Sequence, residues 1–194
     1  MNNFLEHVPV LLDKILENLK KYKITNGIIV DATFGLGGYS TAILENTNCD
    51  VYGFDRDPEV LKYANKLKEK YKNRFKFFQK KFSEIDDMLS EPNHSKKKIR
   101  AMIFDLGVSN LQLTKKNRGF SFKLDGPLDM RMSKEGTKAF EVINNSLQSR
   151  YPKHQSWPKN FIPKKIDWES FLNEKAFSSS TIFLFFISMP VKFL

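Results

Sequence analysis

Three short apolar runs in this sequence end in a carboxylate. Ile28-Ile29-Val30 leads into Asp31 and the turn Phe34-Gly35-Leu36-Gly37-Gly38, Val51-Tyr52-Gly53-Phe54 leads into Asp55, and Ala101-Met102-Ile103-Phe104 leads into Asp105. Glycines let a backbone approach a ligand with no Cβ in the way, and an acid closing a second strand can accept both hydroxyls of a ribose. Together they describe a seat for a nucleoside. A plain tight turn would need the glycines but not the acids. The dinucleotide fingerprint G-x-G-x-x-G/A fits imperfectly, because Ser40 stands where its third glycine belongs. No G-x-x-x-x-G-K-[ST] stretch is present, which argues against a P-loop nucleotide hydrolase.

These residues need elements to carry them. From Val10 to Leu19 the apolar residues recur at helical spacing, with Asp13, Lys14, Glu17 and Asn18 between them, and predict an amphipathic helix. A strand over 28–30, the glycine turn and a helix over Ser40–Glu45 follow. The second strand, 51–54, is followed by a helix with Asp57 as cap and Pro58 at its first position. Lys72–Phe78 predicts a third strand, Ser83 caps a short helix through Ile85, Met88 and Leu89, Glu91–Lys98 is a polar loop, and 101–104 is a fourth strand. Strands separated by helical segments point to an α/β fold with a doubly wound, mostly parallel sheet. In such sheets ligands sit beyond the carboxyl ends of the strands, where all three acids fall.

The chain has 194 residues, 41% of them hydrophobic, enough for one domain with a core. A formal charge of +10, from 32 basic and 22 acidic residues, favours a polyanionic partner such as RNA. The single cysteine, Cys49, forms no disulfide within the chain, and three scattered histidines complete no zinc site with it, so a reducing, cytoplasmic compartment and no metal are expected. Residues 1–13 show no recognisable signal or transit peptide, and the apolar stretch Ile182–Ile187 is too short to span a bilayer.

Across roughly Glu6 to Asn144 the sequence resembles the RsmH (MraW) family, the bacterial methyltransferases of small-subunit ribosomal RNA. The resemblance rests on His7-Val8-Pro9-Val10-Leu11-Leu12-Asp13, Asp31-Ala32-Thr33-Phe34-Gly35-Leu36-Gly37-Gly38, Phe54-Asp55-Arg56-Asp57-Pro58 and Asp105-Leu106-Gly107-Val108-Ser109. Most specific are Arg118-Gly119-Phe120-Ser121-Phe122 and Asp125-Gly126-Pro127-Leu128-Asp129-Met130-Arg131-Met132. The resemblance implies a Rossmann-like methyltransferase fold, S-adenosyl-L-methionine as cofactor, and methyl transfer to the exocyclic N4 of a cytidine in small-subunit ribosomal RNA.

Carried over by position, the resemblance implies a cofactor site of Gly37, Gly38, Tyr39, Asp55, Phe82, Asp105 and Gln112. Tyr39 replaces the family's usual histidine but keeps an aromatic ring. A Phe82 ring after the third strand suits adenine stacking, and an ordinary core role suits it equally. The chemistry asks mainly for alignment, because a sulfonium is already a good leaving group. The amine's lone pair is delocalised into the cytosine ring, so an acceptor that orients it or takes its proton helps, and Asp105 is the candidate catalytic residue. Methylation at ring carbon 5 would need a cysteine nucleophile, and Cys49 lies in a polar stretch before the second strand. Arg118–Met132 reads as a structured loop near the site, either fixing its own turns over the core or contacting RNA, for which Lys115, Lys116, Arg118, Lys123 and Arg131 offer phosphate-binding chemistry.

Two regions are therefore expected: 1–144, a methyltransferase cofactor-binding domain whose last residues, 133–144, begin the family's helical insertion, and 145–194, a divergent tail, disordered or partly helical. The tail holds Trp157, Trp168 and Ser178-Ser179-Ser180 but none of the family's later motifs. The sheet is then incomplete at its C-terminal end, leaving backbone and apolar surface open unless the tail or a partner covers them. An active enzyme and a truncated, non-catalytic fragment that keeps RNA or partner binding both follow from this pattern. A nicotinamide-dependent oxidoreductase would require selective binding of NAD. Association, a homodimer included, is left open.

Overall fold

The computed structural model describes residues 9–89, 97–150 and 182–188, with side chains over 9–87 and 97–144. His7, Val8, residues 91–96 of the polar loop, Trp157 and Trp168 lie outside the described residues. Five strands, β1 (Ile28–Asp31), β2 (Asp50–Phe54), β3 (Phe75–Phe78), β4 (Ile99–Gly107) and β5 (Ile182–Ser188), form one sheet in the order β3-β2-β1-β4-β5. Every neighbouring pair is parallel. The chain winds outward from β1 to β3, then crosses back to place β4 on the other side of β1. The ends of β1 and β4 therefore flank the point where the winding reverses, as the doubly wound α/β reading requires.

The period of two along each strand builds both cores. Ile29, Val51, Phe75, Phe77, Ala101 and Ile103 face one side, where they pack with α1 (Leu12–Lys21), α2 (Gly38–Asn46) and α3 (Leu61–Tyr71) through Ile15, Leu19, Ile43, Leu44 and Ala64. Ile28, Val30, Tyr52, Phe54, Met102 and Phe104 face the other side with Ile85 of α4 (Ile85–Leu89). Because both faces are covered, β1 and β2 are buried at every residue and read as continuous apolar runs.

Several boundaries differ from the sequence reading. The first helix begins at Leu12, after a turn in which Leu12 N–H donates to the Pro9 carbonyl, and runs to Lys21. Only Phe75–Phe78 pairs as strand, because Lys72–Arg74 forms a 3-10 turn. Ser83 is no cap: it sits inside the turn Phe82–Glu84, whose start is closed by the Glu84 carboxylate accepting from Lys81 N–H at 2.8 Å. Asp57 caps as expected, accepting from Glu59 N–H at 3.0 Å, with Pro58 first in the turn. The run 182–187, legible in the sequence only as too short for a bilayer, becomes β5 and supplies a backbone partner for β4 from Ala101 to Gly107. The remaining helices are α5 (Asn110–Thr114) and α6 (Ala139–Arg150).

Candidate functional site at the carboxyl ends of the strands

The turn after β1 is shaped by one ring. Phe34 is buried between Phe75 and Phe77, with ring centroids 5.6 and 5.1 Å away. Gly37 opens α2 with a φ of 81°, and a Cβ there would stand 2.8 Å from the Phe34 ring. At Gly38 a Cβ would meet Pro9 at 2.4 Å, which ties the turn to the start of the first helix. Glycine is thus required at 37 by backbone conformation and packing together, and at 38 by close approach.

The strand-end acids converge on this turn. Asp55 accepts from Gly35 N–H at 2.8 Å through one carboxylate oxygen and from Asp57 N–H at 2.9 Å through the other. Each oxygen retains capacity for a further donor, as ribose hydroxyls would supply. Burial pushes the Asp55 carboxyl above its ordinary value, opposed by those two N–H groups. Asp105 lies within β4 rather than beyond it, and its N–H donates to Thr33 Oγ1 at 2.7 Å. The Tyr39 hydroxyl lies 2.6 Å from the Val10 carbonyl and 3.3 Å from Asp105 Oδ2, so this ring links the glycine turn, the segment before α1 and β4. Burial, and next the Asp105 charge, hold the Tyr39 phenol well above its usual range, so it stays protonated.

Beneath the turn, Asp31 is fully buried and accepts from Ser40 Oγ at 2.7 Å. Burial raises its carboxyl to about 6, against the pull of the Ser40 hydroxyl and the Thr33 N–H. Phe82 is 37% exposed on the rim after β3, edge-on to Phe104 at 6.0 Å, and so is not an ordinary core phenylalanine. Cys49 is buried just before β2, at the far end of that strand from the glycine turn, and burial holds its thiol above its ordinary value. It is neither placed nor ionised for nucleophilic attack.

Sequence reasoning missed a second cluster. Asp57, 1% exposed, accepts from Gln112 Nε2 at 2.9 Å and pairs with Arg118 at 2.9 Å. Arg118, 3% exposed, also donates to the carbonyls of Arg131 and Met132 at 3.0 and 2.9 Å. Arg118 is therefore a buried clamp that offers nothing to phosphate, which decides for the structural one of the two sequence readings. Lys115 is paired with Glu59 at 2.7 Å and Arg131 with Asp129 at 2.7 Å, whereas Lys116 and Lys123 are exposed. Gln112 commits its amide to Asp57 and to the Ser109 N–H at 3.0 Å. The one advance signal was the Asp57-Pro58 cap, which fixed where Asp57 sits but not what it holds. Among the described residues no group of three or more His, Cys, Asp and Glu could hold a metal ion, and no helix is long and apolar enough to cross a membrane.

A doubly wound parallel sheet with a glycine turn, an acid at the end of its second strand and another in its fourth defines a Rossmann-like class of α/β domain. Within that class, the chain belongs to the MraW methylase family, whose profile matches residues 4–152. It is 46% identical over 148 residues to the ribosomal RNA small subunit methyltransferase H of Orientia tsutsugamushi strain Ikeda, covering 76% of this chain and 45% of that one. It is 50% identical over 142 residues to the protein of the same name from Wolbachia pipientis subsp. Culex pipiens, covering 73% and 47%. The chain thus spans less than half the length of these curated relatives. Among solved structures it is similar to an rRNA methylase from Streptococcus thermophilus, at 23% identity and a TM-score of 0.40, covering 52% of this chain and 57% of that one.

Proposed function

We propose that this chain binds S-adenosyl-L-methionine at the carboxyl ends of β1, β2 and β4, and that it serves methyl transfer to the exocyclic N4 of a cytidine in small-subunit ribosomal RNA. The observation that carries the reading is the 2.8 Å contact of the Asp55 carboxylate with Gly35 N–H, which joins the strand-two acid to the glycine turn. Tyr39 then brings Asp105 to the same turn. Family membership supports the methyl-transfer chemistry, and the names of the relatives support the ribosomal substrate.

Bound in this seat, the cofactor supplies a methyl group on a sulfonium, which leaves without covalent help from the protein. Asp55 accepts from the ribose hydroxyls, Gly37 and Gly38 let the backbone come close, and Phe82 offers a face to the adenine. Gln112 supports the seat from behind, through Asp57. Asp105 orients the cytidine amine and receives the proton given up as the nitrogen–carbon bond forms. A ribosomal RNA substrate suits work in the cytoplasm, on the small subunit or its precursor.

Calorimetric titration with S-adenosylmethionine tests the reading. Saturable heat is expected from the chain, abolished in Asp55→Ala. Folded protein that gives no heat would refute it. A second reading is a chain that binds RNA without catalysing transfer. Cofactor binding without methyl transfer to ribosomal RNA would select it.

A further inference from the structure

The positive charge of this chain is unevenly spread along it. Residues 61–81 carry nine of the 32 basic residues and one of the 22 acidic, leaving 23 basic and 21 acidic elsewhere. A second basic stretch, residues 96–123 with eight basic residues and one acidic, has Arg118 buried and Lys97 and Lys115 paired with Asp50 and Glu59. The segment is α3, the 3-10 turn Lys72–Arg74, β3 and the start of the next turn, and β3 is an outer strand of the sheet. Arg74 is spent on the carbonyls of Leu44, Thr47 and Cys49, and of the eight exposed lysines Lys70 pairs with Glu45 at 3.0 Å and Lys80 with Glu84 at 3.3 Å. Lys68 lies 5.9 Å from the centre of the Phe77 ring on one face of the sheet, and Lys76 lies 5.2 Å from that of Tyr52 on the other.

The order of these lysines gives the surface a direction. Lys72 precedes β3 at its amino end, Lys76 lies along it, and Lys80 and Lys81 follow its carboxyl end. That end adjoins the candidate site, since Asp55 N–H donates to the Phe78 carbonyl at 3.2 Å and Lys81 immediately precedes Phe82. One or two lysines suffice to guard an outer strand against edge pairing. Eight lysines, of which Glu45 and Glu84 pair with two, exceed that need. A membrane-surface helix would add exposed apolar residues to the charge, and no large hydrophobic residue of 61–81 is among the exposed ones, the apolar side of α3 being turned to the core.

We infer that the α3–β3 edge is a binding surface for the phosphate backbone of single-stranded RNA, running along the outer strand to the rim that holds Asp55 and Phe82. This inference rests on the RNA substrate proposed above. Phosphate contacts position a strand without reading its bases, so the surface fixes where the RNA enters and leaves the selection of the nucleotide to the site.

The test is the salt dependence of binding to a fluorescein-labelled oligocytidylate. Each phosphate contact on a single strand contributes about 0.7 to the slope of log affinity against log salt, so Lys72→Gln/Lys76→Gln/Lys81→Gln should lower the slope by about 2. A control triple at the end of α1, Lys20→Gln/Lys21→Gln/Lys23→Gln, should leave the slope within a few tenths of wild type. Calorimetry with S-adenosylmethionine should be unchanged in both, which separates this surface from the cofactor seat. An unchanged slope in the β3 triple, or an equal fall in the control, overturns the inference. So does loss, in the β3 triple only, of binding to phosphatidylserine vesicles with RNA binding intact. Wild-type protein that binds no RNA at all would refute the proposed substrate as well.

Discussion

Asp31 makes the stability of the fold depend on pH. Its carboxyl is raised by burial to about 6 from an ordinary 3.8, so the folded chain holds a proton that the unfolded chain releases earlier. Stability therefore falls as pH rises from about 4 to about 6, and the full cost, roughly 3 kcal/mol, is present above that window. Asp31→Asn should show denaturation midpoints that gain on wild type steadily between pH 4 and 6 and keep a constant lead above it. Parallel pH profiles would mean that Asp31 is not the group responsible. The acids at 31, 55 and 105 were legible in the sequence because each closes an apolar run, and a parallel sheet puts such run-ends on one rim. Their different tasks were not legible. Asp31 faces Ser40 under the turn, Asp55 faces two backbone N–H groups, and Asp105 meets Tyr39 from a distant strand.

At the scale of elements, the loop after α5 is held to the β2–α3 turn by charge. Arg118 joins Asp57 to the carbonyls of Arg131 and Met132, while Glu59 takes Lys115 at 2.7 Å and Lys134 at 2.5 Å. Burial works against the Glu59 charge, yet the two ammonium groups hold its carboxyl down to about 2, so its contribution is present above about 4.5 and lost as pH falls toward 2. Removing one partner of a buried pair leaves the other uncompensated, at a cost of about 3–5 kcal/mol. Arg118→Met should lose that much in denaturant unfolding and become more sensitive to trypsin at Lys123, beside the fully exposed Phe122. A loss below about 1 kcal/mol would show that the clamp is dispensable. The sequence leaves Arg118 open between a phosphate contact and a residue that fixes its own loop, because a basic residue in a glycine-rich loop suits both. Only the fold brings Asp57, 61 residues earlier, against it. The Ser83 cap failed for a local reason, since Glu84 reaches back to the Lys81 N–H and closes the turn first.

For the whole molecule, the order of winding was readable and the outer strands less so. Glycine turn, acid-closed strands and intervening helices dictate a doubly wound sheet, and the structure has one, five parallel strands wide. β5 was missed because its apolar run carries no motif and its partner, β4, lies some eighty residues earlier. The central claim is that the glycine turn, Asp55 and Asp105 form one seat for an adenosine bearing an activated methyl. The most direct measurement is an amide NMR titration with S-adenosylmethionine. The largest shifts should fall on Gly35, Gly37, Gly38, Asp57 and Asp105, whose N–H groups lie in or beside the seat. Shifts confined to the opposite edge, around Gly27 and Lys98 where β4 begins, or none in a folded sample, would contradict it.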